Sequence, residues 1–333
     1  MLKTLVIGFS IWLGLFIIRI LMMGGLDPGY QEFEVDLLQP YQTYLVSKID
    51  TLLPYPQSAL LSGILLGNRS SLPYSLRQEL SQTSTIHMVV VSGQNLTILV
   101  GLLMGMTSWL GKRQAILISL AAMICYALLT GLQIPVLRAF IMALSAMIAV
   151  LLGKQATGWW ILLLTAGLML LFSPNWIFSI SFQLSFLATL GLVGLAPMIA
   201  QVLKNVPQLL KLDLSVTLAA QALTLPVIAS NFNQVSLVGV GANILVLWTI
   251  PLVMASGFLS LLVELVIPGL GQILAIVPNI LLTYFIYIVE LFASLPMATV
   301  RASDIGVIGW AGYYLLMGSA MIYLWSRKKL RQL

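Results

Sequence analysis

The sequence is poor in what a soluble enzyme uses. Only 8% of its 333 residues are charged, whereas soluble domains carry roughly 25%. There is one histidine, His87, which excludes a multi-histidine metal centre. No Asp/Glu/His/Cys cluster has zinc-type spacing, so neither a metal nor another cofactor is expected. The single cysteine, Cys125, excludes an intrachain disulfide and leaves the redox compartment unread. The chain also lacks a P-loop glycine motif, paired carboxylates and a nucleophile beside a base. Ser92 with His87 five residues earlier has no third orienting group. A non-catalytic protein is therefore expected, and no polar stretch is long enough to form a separate soluble domain.

What is present is apolar: 60% hydrophobic residues and a mean hydropathy of +1.03. This predicts an all-α, polytopic, integral membrane helical bundle. Crossing a bilayer takes about 20 apolar residues, and about ten segments suit that role: 4–23, 87–110, 114–132, 134–152, 158–172, 176–200, 213–230, 235–267, 272–295 and 305–325. The eighth is too long for one straight span and carries Pro251, which predicts a break there. Residues 1–25 read as a retained anchor, 26–86 as a short extracytoplasmic and interfacial segment, and 87–333 as the polytopic domain. Within 26–86, residues 58–67 are apolar but too short to span, which fits a re-entrant helix.

Basic residues mark the cytoplasmic side. Lys3, Lys112-Arg113, Lys154, Lys204, Lys211 and the tail of Arg327, Lys328, Lys329 and Arg331 all fall on one side if the eighth segment is a single broken span. Both termini are then expected in the cytoplasm, with the chain multi-pass in the inner membrane and surrounded by lipid.

Polar residues at membrane depth must face protein or a water-filled path. Ser92-Gly93-Gln94-Asn95 interrupts the second segment. Gly93, Thr97, Gly101 and Gly105 form a small-residue stripe suited to close helix packing. Arg138 lies just inside the fourth segment and either snorkels outward or meets a partner. Ser179, Ser181, Gln183 and Ser185 crowd the sixth. Thr217, Gln221 and Thr224 line the seventh before Pro226, which predicts a helix break. Asn243 lies in the eighth. Singly, each residue reads as packing glue; together they offer neutral hydrogen-bonding groups on several helices. Glu264 and Glu290 are the acids well within the late segments.

The ordered set of motifs resembles the competence domain of ComEC-type DNA-uptake proteins. The resemblance runs through Leu60 to Arg69, Thr83 to Gly93, Arg138 to Met142, Phe182 to Phe186, Ala220 to Pro226 and Asn243 to Leu245. It implies an inner-membrane channel importing single-stranded DNA during transformation. His87, Ser92, Gly93, Asn95, Arg138, Gln183, Gln221 and Asn243 are then expected to line or shape the path, with Thr97, Gly101 and Gly105 packing helices. The partners implied are single-stranded DNA, an extracytoplasmic DNA receptor, a cytoplasmic motor and a separately encoded nuclease.

Departures from the family pattern are specific. The interval after the first segment holds about sixty residues, too few for the family's OB-like domain. The chain stops soon after the last span, and one histidine cannot build the metallo-β-lactamase-like nuclease site. Asn95 stands where the family often has histidine. Two rivals suit the same residues: a secondary transporter of a small anionic or amphiphilic solute, for which Glu264 or Glu290 would matter, and a structural membrane subunit whose polar residues only join helices.

Overall fold

The computed structural model describes residues 2–27, 37–89, 93–105, 111–151, 153, 157–203, 206–301 and 309–319. Helices dominate: α1 (Leu2–Met22), α2 (Gln39–Leu52), α3 (Gln57–Leu66), α4 (Tyr74–Gln82), α5 (Ile86–Val89), α6 (Gly93–Gly105), α7 (Lys112–Leu129), α8 (Ile134–Leu151) and α9 (Gly158–Phe172). A 3-10 turn, Pro174–Phe178, leads into α10 (Ile180–Gly194) and α11 (Ala196–Val202). Then come α12 (Gln208–Phe232), α13 (Gly239–Val246), α14 (Thr249–Val266), α15 (Leu270–Leu274), α16 (Ile276–Ala293) and the helical stretch 309–319. Two three-residue strands, β1 (Gln234–Ser236) and β2 (Thr299–Arg301), pair antiparallel.

Three helical segments among the described residues are long and apolar enough to cross a membrane: Leu210–Phe232, Thr249–Val266 and Ile276–Ala293. A fourth arises if α10 and α11, bent by 46° at Leu195, count as one broken span. Six shorter apolar helices accompany them. The expected bundle of apolar helices is present, whereas the count of about ten full spans is not reproduced by helix length. Within 87–110 the described residues are those of α5 and α6, residues 90–92 and 106–110 lying outside the description, and 176–200 is a 3-10 turn plus two helices.

The largest core forms around α3. Residues Ser58 to Leu66 are all buried. Leu60, Leu61, Ile64 and Leu65 pack among Val246, Ile250, Val253 and Met254 of α13 and α14, and Phe285 and Val289 of α16. A helix of ten residues is about 15 Å long, half of a bilayer core of about 30 Å. Such a helix is tolerated at depth only inside protein, and its burial on every face fits the re-entrant expectation. Gly257 makes room for it: a Cβ there would lie 2.8 Å from Leu61 Cδ1.

Proline acts differently from expectation at two places. Pro226 lies inside α12, which continues to Phe232 without a break. A proline removes one backbone donor and leaves the carbonyl four residues earlier unpaired. That carbonyl, of Ala222, accepts the Tyr313 hydroxyl at 2.8 Å, so the helix survives. The eighth segment does break, but at Leu247-Trp248; Pro251 occupies the first turn of α14. In the first turn the missing N–H has no intrahelical acceptor to satisfy.

Candidate functional site

Three helices meet at Arg138. Its position near the start of α8 lets the side chain reach α6 and α10. Nη1 donates to Thr189 Oγ1 on α10, and Thr189 donates in turn to the Ser185 carbonyl at 3.0 Å. The guanidinium lies 6.0 Å from the Phe186 ring centroid. On α6, Gly93 is what lets it fit: a Cβ there would be 2.7 Å from Arg138 Nη2 and 3.1 Å from Ala139 Cβ. Arg138 Nε is buried with no hydrogen-bond partner among the described residues. Of the two readings of this arginine, meeting a partner describes the geometry: it joins helices through a neutral hydroxyl, not through an acid.

Two residues along α6 from Gly93, Asn95 is buried and its Nδ2 donates to the Ile64 carbonyl at 2.9 Å. The last carbonyls of a helix have no intrahelical donor. At the buried end of α3 this need is met by Asn95 for Ile64 and by Gln42 Nε2 for Leu66, at 2.6 Å. Gly63 of α3 lies against Val89 of α5, whose carbonyl would be 3.0 Å from an added Cβ. The motifs at 60–69 and 83–93 thus pack on each other.

A small cavity of about 20 Å³, mostly apolar in its walls, lies where the turn after α4 meets α12 and β1, lined by Leu225, Ile228 and Val235 together with the polar Ser84, Gln221 and Ser236. Ser236 Oγ is buried with no hydrogen-bond partner among the described residues. Gly239 closes one side: an added Cβ would stand 2.9 Å from Ser84 Cβ, 3.1 Å from Ser236 Oγ and 3.2 Å from the Thr83 carbonyl. The volume suits one water molecule.

The remaining expected residues are scattered. His87 is exposed on α5. Gln183 donates to the Ile177 carbonyl at 2.9 Å, bracing the start of α10. Asn243 is buried on α13, its Oδ1 without a hydrogen-bond partner among the described residues. Ser92 lies outside the described residues. Of the small-residue stripe, Gly93 makes a tight contact; Thr97 is exposed, and nothing stands within 4 Å of a Cβ built at Gly101 or Gly105. Glu264 is buried and accepts from the Gly269 amide at 2.9 Å, which fixes the turn between α14 and α15. No group of three metal-binding side chains occurs among the described residues.

Thr189, Ser84, Ser236 and Gln42 were not singled out from the sequence. Thr189 could have been, since it lies one helical turn beyond Ser185. The others act through contacts far apart in the chain.

Apolar helices joined at depth by neutral polar groups define a helical membrane protein. The chain belongs to the competence protein family of ComEC type: the family model described as "Competence protein" matches residues 64–327. Among curated proteins, it is 30% identical over 236 residues to the "Uncharacterized protein YcaI" of Escherichia coli, a match covering 64% of this chain and 30% of that protein. It is 26% identical over 204 residues to "ComE operon protein 3" of Bacillus subtilis, covering 61% of this chain and 26% of that protein. The matched stretch spans under a third of the length of either relative. No solved structure matches.

Proposed function

We propose that this chain is the membrane core of a competence DNA-uptake system and passes one DNA strand from the outer side of the inner membrane to the cytoplasm. The match to the competence family over residues 64–327 carries this reading. The chemistry of the junctions is compatible with it. Acids at depth would repel a phosphate backbone, whereas Gln221, Ser84 and Ser236 offer neutral groups that touch a strand without trapping it. Glu264 is committed to a turn, which weakens the rival reading of proton-coupled solute transport.

In this reading both termini face the cytoplasm, lipid covers the exposed apolar faces, and the bundle carries out no bond chemistry. Residues 26–86 belong to its outer part and 87–333 to its path. Arg138 holds α6, α8 and α10 together beside that path. The driving force comes from a cytoplasmic motor or strand capture, a receptor delivers DNA outside, and a separate nuclease degrades the other strand. Since the described cavity is water-sized, passage requires α12 and the turn at Ser84 to part.

The test is reconstitution of the full chain in liposomes, with flux of a labelled oligonucleotide measured down its gradient. Single-stranded probe entering and duplex excluded supports the channel. Flux of small anions with no oligonucleotide flux favours the solute transporter, and neither flux favours the structural subunit.

A further inference from the structure

We infer that Tyr74, Arg77 and Arg301 form a landing rim for the phosphates and bases of a single DNA strand at the outer mouth of the bundle. The inference rests on the DNA-channel reading above and adds the residues that first receive the strand.

The rim is built from α4 and the β1–β2 ladder. Tyr74, Arg77 and Ser81 share one face of α4 by helical spacing, opposite the buried Leu76 and Leu80. Tyr74 is 82% exposed, and Arg77 is exposed as well. Gln234 Nε2 donates to Ser81 Oγ at 3.0 Å, which ties the ladder to this face. Arg301 is the direct register partner of Gln234. Residues directly opposite in an antiparallel pair project from the same side of the ladder, so exposed Arg301 emerges beside the Ser81–Gln234 bond. Neither the Arg77 nor the Arg301 guanidinium has a hydrogen-bond or ion-pair partner among the described residues.

Charge is segregated on α4. Glu79 projects from the other flank of the helix, where its carboxylate feels Glu290 of α16. Two guanidiniums with no acid on their own face among the described residues suit phosphate oxygens, which they can grip through two parallel N–H bonds. An exposed tyrosine ring offers a stacking surface that accepts any base. The rim also leads inward: Ser236 lies two residues after Gln234, hence on the same side of β1, and lines the cavity with Ser84 and Gln221. A cationic, aromatic surface thus gives way to an uncharged one of hydroxyls, an amide and aliphatic side chains, the order needed to capture a strand and then release it into a path.

The experiment uses the full chain in nanodiscs of zwitterionic lipid, with a fluorescent oligothymidylate titrated at several salt concentrations. Each neutralised phosphate of a single strand contributes about 0.7 to the slope of log affinity against log salt. Arg77→Ala with Arg301→Ala should flatten the slope by about 1.4, while the double lysine variant retains it. Tyr74→Ala should weaken binding about fivefold or more without changing the slope. Arg113→Ala, on the cytoplasmic side, should bind as wild type. Wild-type affinity and slope in the double alanine variant overturn the proposal, as does an equal loss in the double lysine variant. If the arginine pair governs only retention of anionic lipid, the rim is a headgroup site and the proposal falls. A wild type that passes DNA through liposomes, with rim variants indistinguishable from it, refutes the rim alone. A wild type that binds oligonucleotide through the rim but never passes it refutes the channel alone.

Discussion

Tyr313 donates its hydroxyl to the Ala222 carbonyl, 2.8 Å away, the group that Pro226 leaves without a backbone donor inside α12. Tyr314 makes the matching bond to the next carbonyl, Leu223, at 2.9 Å. The stretch 309–319 therefore splints the helix that carries Gln221. Tyr313→Phe should destabilise the purified protein by about 0.5–1.5 kcal/mol, the usual net worth of such a bond. In a Pro226→Ala background the same change should cost much less, because residue 226 then supplies an N–H. Thermal unfolding of the four variants as a double-mutant cycle checks this; equal losses in both backgrounds would contradict it.

Gly93 and Arg138 should behave as a coupled pair. A methyl at Gly93 intrudes on both the guanidinium and Ala139 Cβ, and overpacking of this kind costs about 1–3 kcal/mol. Removing the guanidinium first relieves one of the two clashes. Gly93→Ala should therefore be less damaging in an Arg138→Ala protein than in wild type, read again as a cycle of unfolding midpoints. Additive effects would separate the two residues.

Asn95 supplies a donor to the buried end of α3. Asn95→Asp keeps the shape and removes the N–H, leaving the Ile64 carbonyl facing another acceptor. Loss of a buried hydrogen bond in this manner costs about 1–3 kcal/mol. The expected result is a lowered unfolding temperature with normal membrane insertion; an unchanged midpoint would show that the carbonyl has another donor.

Burial raises the Glu79 carboxyl above its usual range, and the nearby Glu290 charge adds to the rise. For an acid raised on folding, the stability it confers is complete below its unfolded value, near 4.5, and declines as pH rises through the folded value. Glu79→Gln should therefore stabilise the protein near pH 7, make no difference near pH 4, and flatten the decline between. Unfolding midpoints across that range decide it; a stability gain greater at acid pH than at neutral pH would reverse the sign.

The sequence made much of this legible, because its strongest signals are local. The apolar run at 58–67 was too short to span, and the fold buries it as α3. Arg138 was conspicuous because a guanidinium at depth needs an explanation, and it has one in Thr189 and Gly93. Pro226 was misread: proline marks a missing donor, but whether the helix breaks depends on a hydroxyl about ninety residues later. The β1–β2 ladder left no periodic signal, since three residues cannot establish alternation. The cavity at Gln221 joins residues from 84 to 236, and no spacing rule links such positions. Gly101 and Gly105 looked like a packing seam by spacing alone; the described residues leave that face open.

On the proposed function, DNA passes through this chain and the Arg138 junction is needed for that passage. The most direct measurement is cytoplasmic arrival of labelled DNA in a transformable strain deleted for this gene, with no second copy, then complemented. The expected outcome is loss on deletion, rescue by wild type, and no rescue by an Arg138→Ala protein that still inserts in the membrane at normal levels. Undiminished DNA arrival in the deletion strain would contradict it.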